Sequence, residues 1–427
     1  MRLNLPSILI LVAAAVAWPA LSSWAAEGEE GFTSLFNGKT LDGWTLFAKH
    51  GEGYGVKDGV LFCAKGGGGN LLTDKEFSNF ILRFEFKLEP AANNGIAIRA
   101  PAAGGSAAYA GTEIQVLEDT APQYASLRPA QYHGSIYDVV PAKRGAQKPI
   151  GEWNEEEISA NGRVIQVVLN GQTIVSADLN TITDGPTLLK HPGLLRERGR
   201  IGFLGHNDFV EFRNIRVKEL PATENDNTPP AGFTALFNGR DMAGWKGLLA
   251  SPYDNPIKRA ALSADERAVK QKEADDNMRA HWKVENGEIV FDGKGRSLCT
   301  LKDYGNFEMY VDWKIPPKGD SGIYLRGSPQ VQIWDRAVGS GGLYNNKTNA
   351  DNPLKVADKP VGEWNRFRIL MVGEKVHVFL NGELVVQNTT LENYWDRKQP
   401  IFPTGQIELQ NHGDHLWFKN IYLRELP

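Results

Sequence analysis

The chain repeats itself. Gly31-Phe-Thr-Ser-Leu-Phe-Asn-Gly-Lys-Thr-Leu-Asp-Gly-Trp44 returns as Gly232-Phe-Thr-Ala-Leu-Phe-Asn-Gly-Arg-Asp-Met-Ala-Gly-Trp245. Shorter pairs follow in the same order: Asn94-Gly-Ile-Ala-Ile-Arg99 with Ser321-Gly-Ile-Tyr-Leu-Arg326, Gly151-Glu-Trp-Asn154 with Gly362-Glu-Trp-Asn365, and Phe212-Arg-Asn-Ile215 with Phe418-Lys-Asn-Ile421. Colinear matches over nearly the whole of each half mean two copies of one domain, expected at 27–220 and 231–427. The polar, proline-bearing segment 221–230 between them has no apolar periodicity and reads as a linker.

Within each copy the apolar residues alternate. In Phe307-Glu-Met-Tyr-Val-Asp-Trp-Lys-Ile315, Met309, Val311 and Trp313 share one face, and Glu308, Tyr310, Asp312 and Lys314 share the other, expected to be wet. The runs ending Leu169-Asn-Gly171 and Leu380-Asn-Gly382 carry the strongest short hairpin signal. Many short antiparallel strands in each copy predict an all-β fold, two tandem jelly-roll sandwiches. The second copy carries an insertion of about 246–280, where Ser263-Ala-Asp-Glu266 is a capping box opening a helix. That helix is expected either to cover a sheet edge or to act as a lid.

Composition narrows the functions. With 47 Lys+Arg against 51 Asp+Glu the formal net charge is -4, and no basic run concentrates enough charge to bind nucleic acid. Residues 1–25 read as a secretory signal: Arg2, an apolar run from Ile8 to Trp18, and small residues before a cleavage after Ala25. The run is shorter than the roughly 20 residues of a membrane span. The expected protein is therefore exported, periplasmic or extracellular, with no integral membrane segment once cleaved. The 2 cysteines, Cys63 and Cys299, fall one in each copy and are expected as buried free thiols.

Alternation also assigns polar faces. Glu113 and Gln115 oppose Ile114 and Val116; Gln332 and Trp334 oppose Val331 and Ile333; Tyr324 and Arg326 share a face, as do Glu408, Gln410 and His412. Arg, Gln, Tyr, Trp and His projecting from one sheet suit a sugar, whose hydroxyls need donors and acceptors and whose ring faces need aromatic planes. A paired-carboxylate glycosidase is poorly supported. Glu113 and Glu118 fall on opposite faces of a regular strand, and the second copy replaces Glu113 by Gln330. The chain has no Gly-x-Ser-x-Gly elbow, P-loop or His-Glu-x-x-His motif. No ligand spacing is diagnostic of a metal, so no cofactor is assigned and a divalent metal stays an open alternative.

Taken together, Phe-Asn-Gly, Ser-Gly-Ile-x-Leu-Arg, Gly-Glu-Trp-Asn, Leu-Asn-Gly and Leu-Gln-x-His-Gly resemble the 3-keto-disaccharide hydrolase family. The resemblance covers both halves. It implies a concanavalin- or laminin-G-like jelly roll acting on 3-keto-glucosides as hydrolase or lyase. It further implies, in the first copy, Glu113 or His206 as base, Arg99 and Gln115 as ligands, and Tyr137 or His133 as proton donor. In the second it implies His412 or Asp335 as base, Arg326, Gln332 and Gln410 as ligands, and Tyr344 as donor; the alternation of faces adds Tyr324 and Trp334 as sugar-binding residues. A non-catalytic tandem carbohydrate-binding protein is the alternative expectation.

Overall fold

The computed structural model describes residues 29–102, 106–221 and 226–427. The expected signal segment, 1–25, lies outside the described residues. In the first half a larger sheet runs Gln172–Asp178, Val164–Leu169, Asn154–Asn161, Phe80–Leu88, Val210–Glu219, Val60–Cys63, Tyr54–Lys57. A five-stranded sheet, Trp44–His50, Gly68–Phe77, Gly199–His206, Asn93–Ala100, Thr112–Leu117, packs against it. The second half repeats this order. Its five-stranded sheet is Trp245–Gly247, Leu298–Thr300, Glu408–Leu409, Asp320–Leu325, Ser328–Trp334. Described pairings are antiparallel, and the order makes two jelly-roll sandwiches, as the alternation required.

The repeated motifs have structural causes. The Trp44 and Trp245 indoles each donate 2.7 Å to a backbone carbonyl, of Leu35 and Leu236, while Asn37 and Asn238 fold the preceding loop through their side-chain oxygens. Asn170-Gly171 and Asn381-Gly382 all have positive φ (48°, 79°, 53°, 85°), the twist a two-residue hairpin needs. Between the sheets sit Phe84, Phe86, Phe203 and Phe212 in the first half and Trp313, Phe291, Phe367 and Phe418 in the second. Burying each such ring contributes about 2–3 kcal/mol. Cys63 and Cys299 are buried and free.

The wet face expected on Phe307–Lys314 is a place where alternation misleads. Glu308, Tyr310 and Asp312 are buried. The outer face of the second half's larger sheet is covered by residues 179–197 of the first half, and Leu370 and Phe379 join the first half's core. Glu308 accepts from the Nε of Arg368 and of Arg424, both at 2.6 Å. Burial alone would raise its pKa, but Arg368, Arg163 and Arg424 overcome that and hold it at about 2. His377 Nε2 lies 3.1 Å from the Leu189 carbonyl and Arg196 donates to the Gly382 carbonyl at 3.0 Å, so the halves are joined by hydrogen bonds as well as charge. Of the linker, Asn227 is pinned: its N–H donates to Asn420 Oδ1 and its own Oδ1 accepts from the Asn420 N–H.

The insertion forms helices Pro256–Ala260 and Ala264–His281, the latter capped by Ser263 and Glu266 as its sequence predicts. The longer helix lies on the edge strand Trp245–Gly247. Asp275 Oδ1 accepts from the Gly247 N–H at 3.1 Å and Gln271 Nε2 donates to its carbonyl at 2.9 Å. A Cβ at Gly247 would stand 2.1 Å from the Ala274 carbonyl oxygen, so glycine is what permits the approach. The helix therefore covers a sheet edge, whose free backbone groups it satisfies.

Candidate active site

Three neighbouring strands of the second half's smaller sheet send Ile323, Leu325, Val331, Ile333 and Leu409 into the core. Tyr324, Gln330, Gln332, Glu408 and Gln410 consequently project from the other face. The amides form a chain. Gln330 Nε2 donates to Gln332 Oε1 (2.7 Å) and Gln410 Oε1 (3.0 Å), Gln332 Nε2 to Asp320 Oδ1 (2.7 Å), and Gln410 Nε2 to the Tyr324 hydroxyl (3.4 Å). His412 Nδ1 stands 4.0 Å from Asp320 Oδ2; the imidazole is 57% exposed and the carboxylate 15%. Arg336 approaches the same carboxylate at 3.6 Å and lies 4.5 Å over the Trp334 ring, which Tyr344 meets edge-on at 5.9 Å. An accessible imidazole beside a half-buried carboxylate can take up a proton, with the carboxylate stabilising the imidazolium.

Glu408 lies deeper in the same layer. It is buried, and burial pushes its pKa up to about 7 although Arg259 from the insertion stands 3.9 Å away. Tyr324 pairs with it in register and is raised by burial and then by that carboxyl. Asp320 and Glu408 were not among the expected catalytic groups. Asp320 could have been found by aligning it with Asn93 ahead of the repeated Gly-Ile; Glu408 is legible as a face but not as a perturbed carboxyl, because its burial depends on tertiary packing.

The first half builds a related pair from a different strand. His206 Nε2 lies 3.9 Å from Glu113 Oε1, with the imidazole 48% exposed and the carboxylate 4%. Glu113 rests against Gly95, where a Cβ would come within 2.1 Å of its Oε1. Tyr137 stands nearby, its hydroxyl accepting from Gln131 Nε2 at 3.3 Å, and burial raises its pKa. Gln115 Nε2 donates to the Gln131 carbonyl at 3.4 Å. Register matches Ile96–Phe203 with Ile323–Leu409, so Ala97, Gly202 and Leu204 occupy the positions of Tyr324, Glu408 and Gln410. Ala97 and Leu204 pack with Leu72, Ala100 and Ala107 as an apolar layer.

Four expected site residues lie elsewhere. Arg99, at φ 51°, is the extra residue of a bulge between the pairs Ala97–Gly202 and Ala100–Arg200, and its guanidinium donates to the Ser78 and Arg196 carbonyls. Arg326 does the same for Gly305 and Phe402. Both arginines clamp the turn before the next strand, away from the imidazoles. His133 is 2% exposed inside the first sandwich: Nδ1 accepts from the Leu117 N–H at 3.2 Å, Nε2 lies 3.4 Å from Glu156, and the ring packs on Phe86. Asp335 accepts from the Lys318 N–H at 2.8 Å and closes a turn. Among the described residues no cluster of three or more His, Cys, Asp or Glu side chains is placed to hold a metal ion. No helix among them is long and apolar enough to cross a membrane.

Each half is thus a jelly roll with a histidine–carboxylate pair on its smaller sheet. The model of the 3-keto-alpha-glucoside-1,2-lyase-like domain matches residues 31–218 and again 232–424, and the chain belongs to that family. A 3-keto-disaccharide hydrolase of Bacteroides thetaiotaomicron is 28% identical over 229 residues, 45% of this chain and 79% of that one. Two solved structures from Parabacteroides distasonis, each provisionally described as a glycosyl hydrolase, are 27% and 24% identical. They cover 44% and 45% of this chain and 99% and 95% of their own, each with TM-score 0.40.

Proposed function

We propose that this chain is an exported glycoside-cleaving enzyme that acts on 3-keto-glucosides or 3-keto-disaccharides, with turnover in the second half. A ketone at C3 acidifies the C2 hydrogen. His412, beside Asp320, removes that proton; the electron pair moves into an enolate on the C3 oxygen and then expels the C1 substituent. The Tyr344 hydroxyl gives its proton to the leaving oxygen. Water adding back at C1 completes hydrolysis, and its absence leaves a lyase product. Gln410 binds the hydroxyls or the ketone oxygen, and Trp334 offers a ring face to the sugar. Gln332, expected as a ligand but buried with its amide taken up by Gln330 and Asp320, positions Asp320 instead. Family membership supports the substrate class, and the observation that carries the mechanism is the accessible His412 beside Asp320 within a row of amides.

The base is worth about 10²–10⁴-fold. Aglycone release from a chromogenic 3-keto-glucoside by the full chain should fall by about that factor in His412→Ala and by a smaller one in Asp320→Asn, while His206→Ala keeps most of the rate. An unchanged rate in His412→Ala rejects the assignment. Retention on glycans with no aglycone release by the unmodified chain favours the tandem carbohydrate-binding reading instead.

A further inference from the structure

At the opposite end of Asp320–Leu325 from Asp320, roughly 20 Å away at about 3.3 Å per residue, lies a cleft of about 770 Å³, one wall of which the insertion forms. Lys246, Arg259, Arg267 and Arg326 line it against a single lining carboxylate, Asp303. Arg259 faces Glu408 at 3.9 Å, with Asp254 also close enough to act on that carboxyl. Among the described residues Lys246, Arg267 and Arg326 have no carboxylate within 4.0 Å. Arg326 is the telling one. It is 3% exposed, its hydrogen bonds go to the Gly305 and Phe402 carbonyls and to Asn306 Oδ1, and no anion balances its charge. A buried cation without a counter-charge draws an anion from solution. On the same wall the Gln406 side chain is 6% exposed and its buried Oε1 has no hydrogen-bond partner, so it lacks a donor such as a hydroxyl. Phe402 supplies an apolar surface beside it.

We propose that this cleft is a second binding site, separate from the His412 site, for saccharides that carry an anionic group: the carboxylate, sulfate or phosphate is held by Lys246, Arg267 and Arg326 and a hydroxyl by Gln406. The volume suits one or two sugar units. That the ligand is a saccharide rests on the function proposed above; that it is anionic rests on the cleft alone.

Isothermal titration of the full chain with glucuronate, glucose 6-sulfate and glucose 6-phosphate tests this, with glucose and inorganic sulfate as controls. At least one acidic sugar should bind at least about tenfold tighter than glucose and than sulfate. The double variant Lys246→Glu/Arg267→Glu should weaken it by about tenfold or more, as the loss of charge-assisted contacts implies, and Gln406→Ala by less. Which acidic sugar binds tightest identifies the anion. His412→Ala should bind it unchanged; if that variant loses turnover but keeps binding, the two sites stand independently. Glucose binding as tightly as all three acidic sugars, no binding of any of them at 10 mM, or full affinity in the double variant overturns the site. Sulfate alone binding as tightly as the sugars overturns the saccharide assignment.

Discussion

Replacing Glu408 by Gln removes a titration that the fold makes costly. The carboxyl is buried, with its pKa raised from 4.5 to about 7. At about 1.36 kcal/mol per pH unit, that displacement is worth about 3 kcal/mol. The sign follows from which state holds the proton. Below about 4.5 the carboxyl is neutral whether folded or not, and the stabilisation is complete. Between 4.5 and 7 the unfolded chain ionises while the folded one does not, so stability falls, and past 7 the loss is complete. Glutamine keeps the shape and cannot ionise. The stability of Glu408→Gln minus that of the unmodified chain should therefore rise by about 2.5 kcal/mol between pH 5 and pH 8, other titrating groups cancelling in the difference. Urea unfolding followed by tryptophan fluorescence measures it, and the signal favours the correct half: Trp245, Trp282, Trp313, Trp334, Trp364, Trp395 and Trp417 lie there, against Trp44 and Trp153 in the first. Parallel profiles for the two chains would refute the reasoning, and a difference that shrinks with pH would mean that Arg259 outweighs burial.

Glu308 should show the opposite sign. Held at about 2 by Arg368, Arg163 and Arg424, its ionisation stabilises the fold above about 4.5 and is lost as pH falls through 2. Glu308→Gln strands buried guanidiniums at the contact between the halves and should cost about 3–5 kcal/mol at pH 7, read as a lower unfolding midpoint, with the gap closing in acid. Gly322→Ala would place a Cβ 2.5 Å from Gln330 Cγ and displace the amide chain; steady-state kinetics should show KM raised about tenfold, equivalent to about 1.4 kcal/mol of binding, with kcat less affected. Gly95→Ala, which crowds Glu113 in the first half instead, should leave turnover near normal.

The amino-acid sequence by itself determined the duplication, the all-β sandwich class, the Asn-Gly hairpins, the capping box at Ser263 and the polar faces that carry Gln332, Gln410 and His412. Each depends on spacing within one strand or turn, which the chain carries locally. Tertiary structure decided the rest. Glu308 follows the alternation of a solvent-facing residue, yet the other half of the molecule covers it. Arg99 and Arg326 sit where a regular strand would aim them outward, but a bulge in one half and a two-residue turn in the other send both guanidiniums to backbone carbonyls. Glu408 owes its raised pKa to burial, against the pull of Arg259 from a helix more than a hundred residues earlier, and the histidines draw carboxylates from different strands, Glu113 in one half and Asp320 in the other. Charge and dielectric act through space, so which residues share a site depends on surfaces that meet only once both sandwiches have formed.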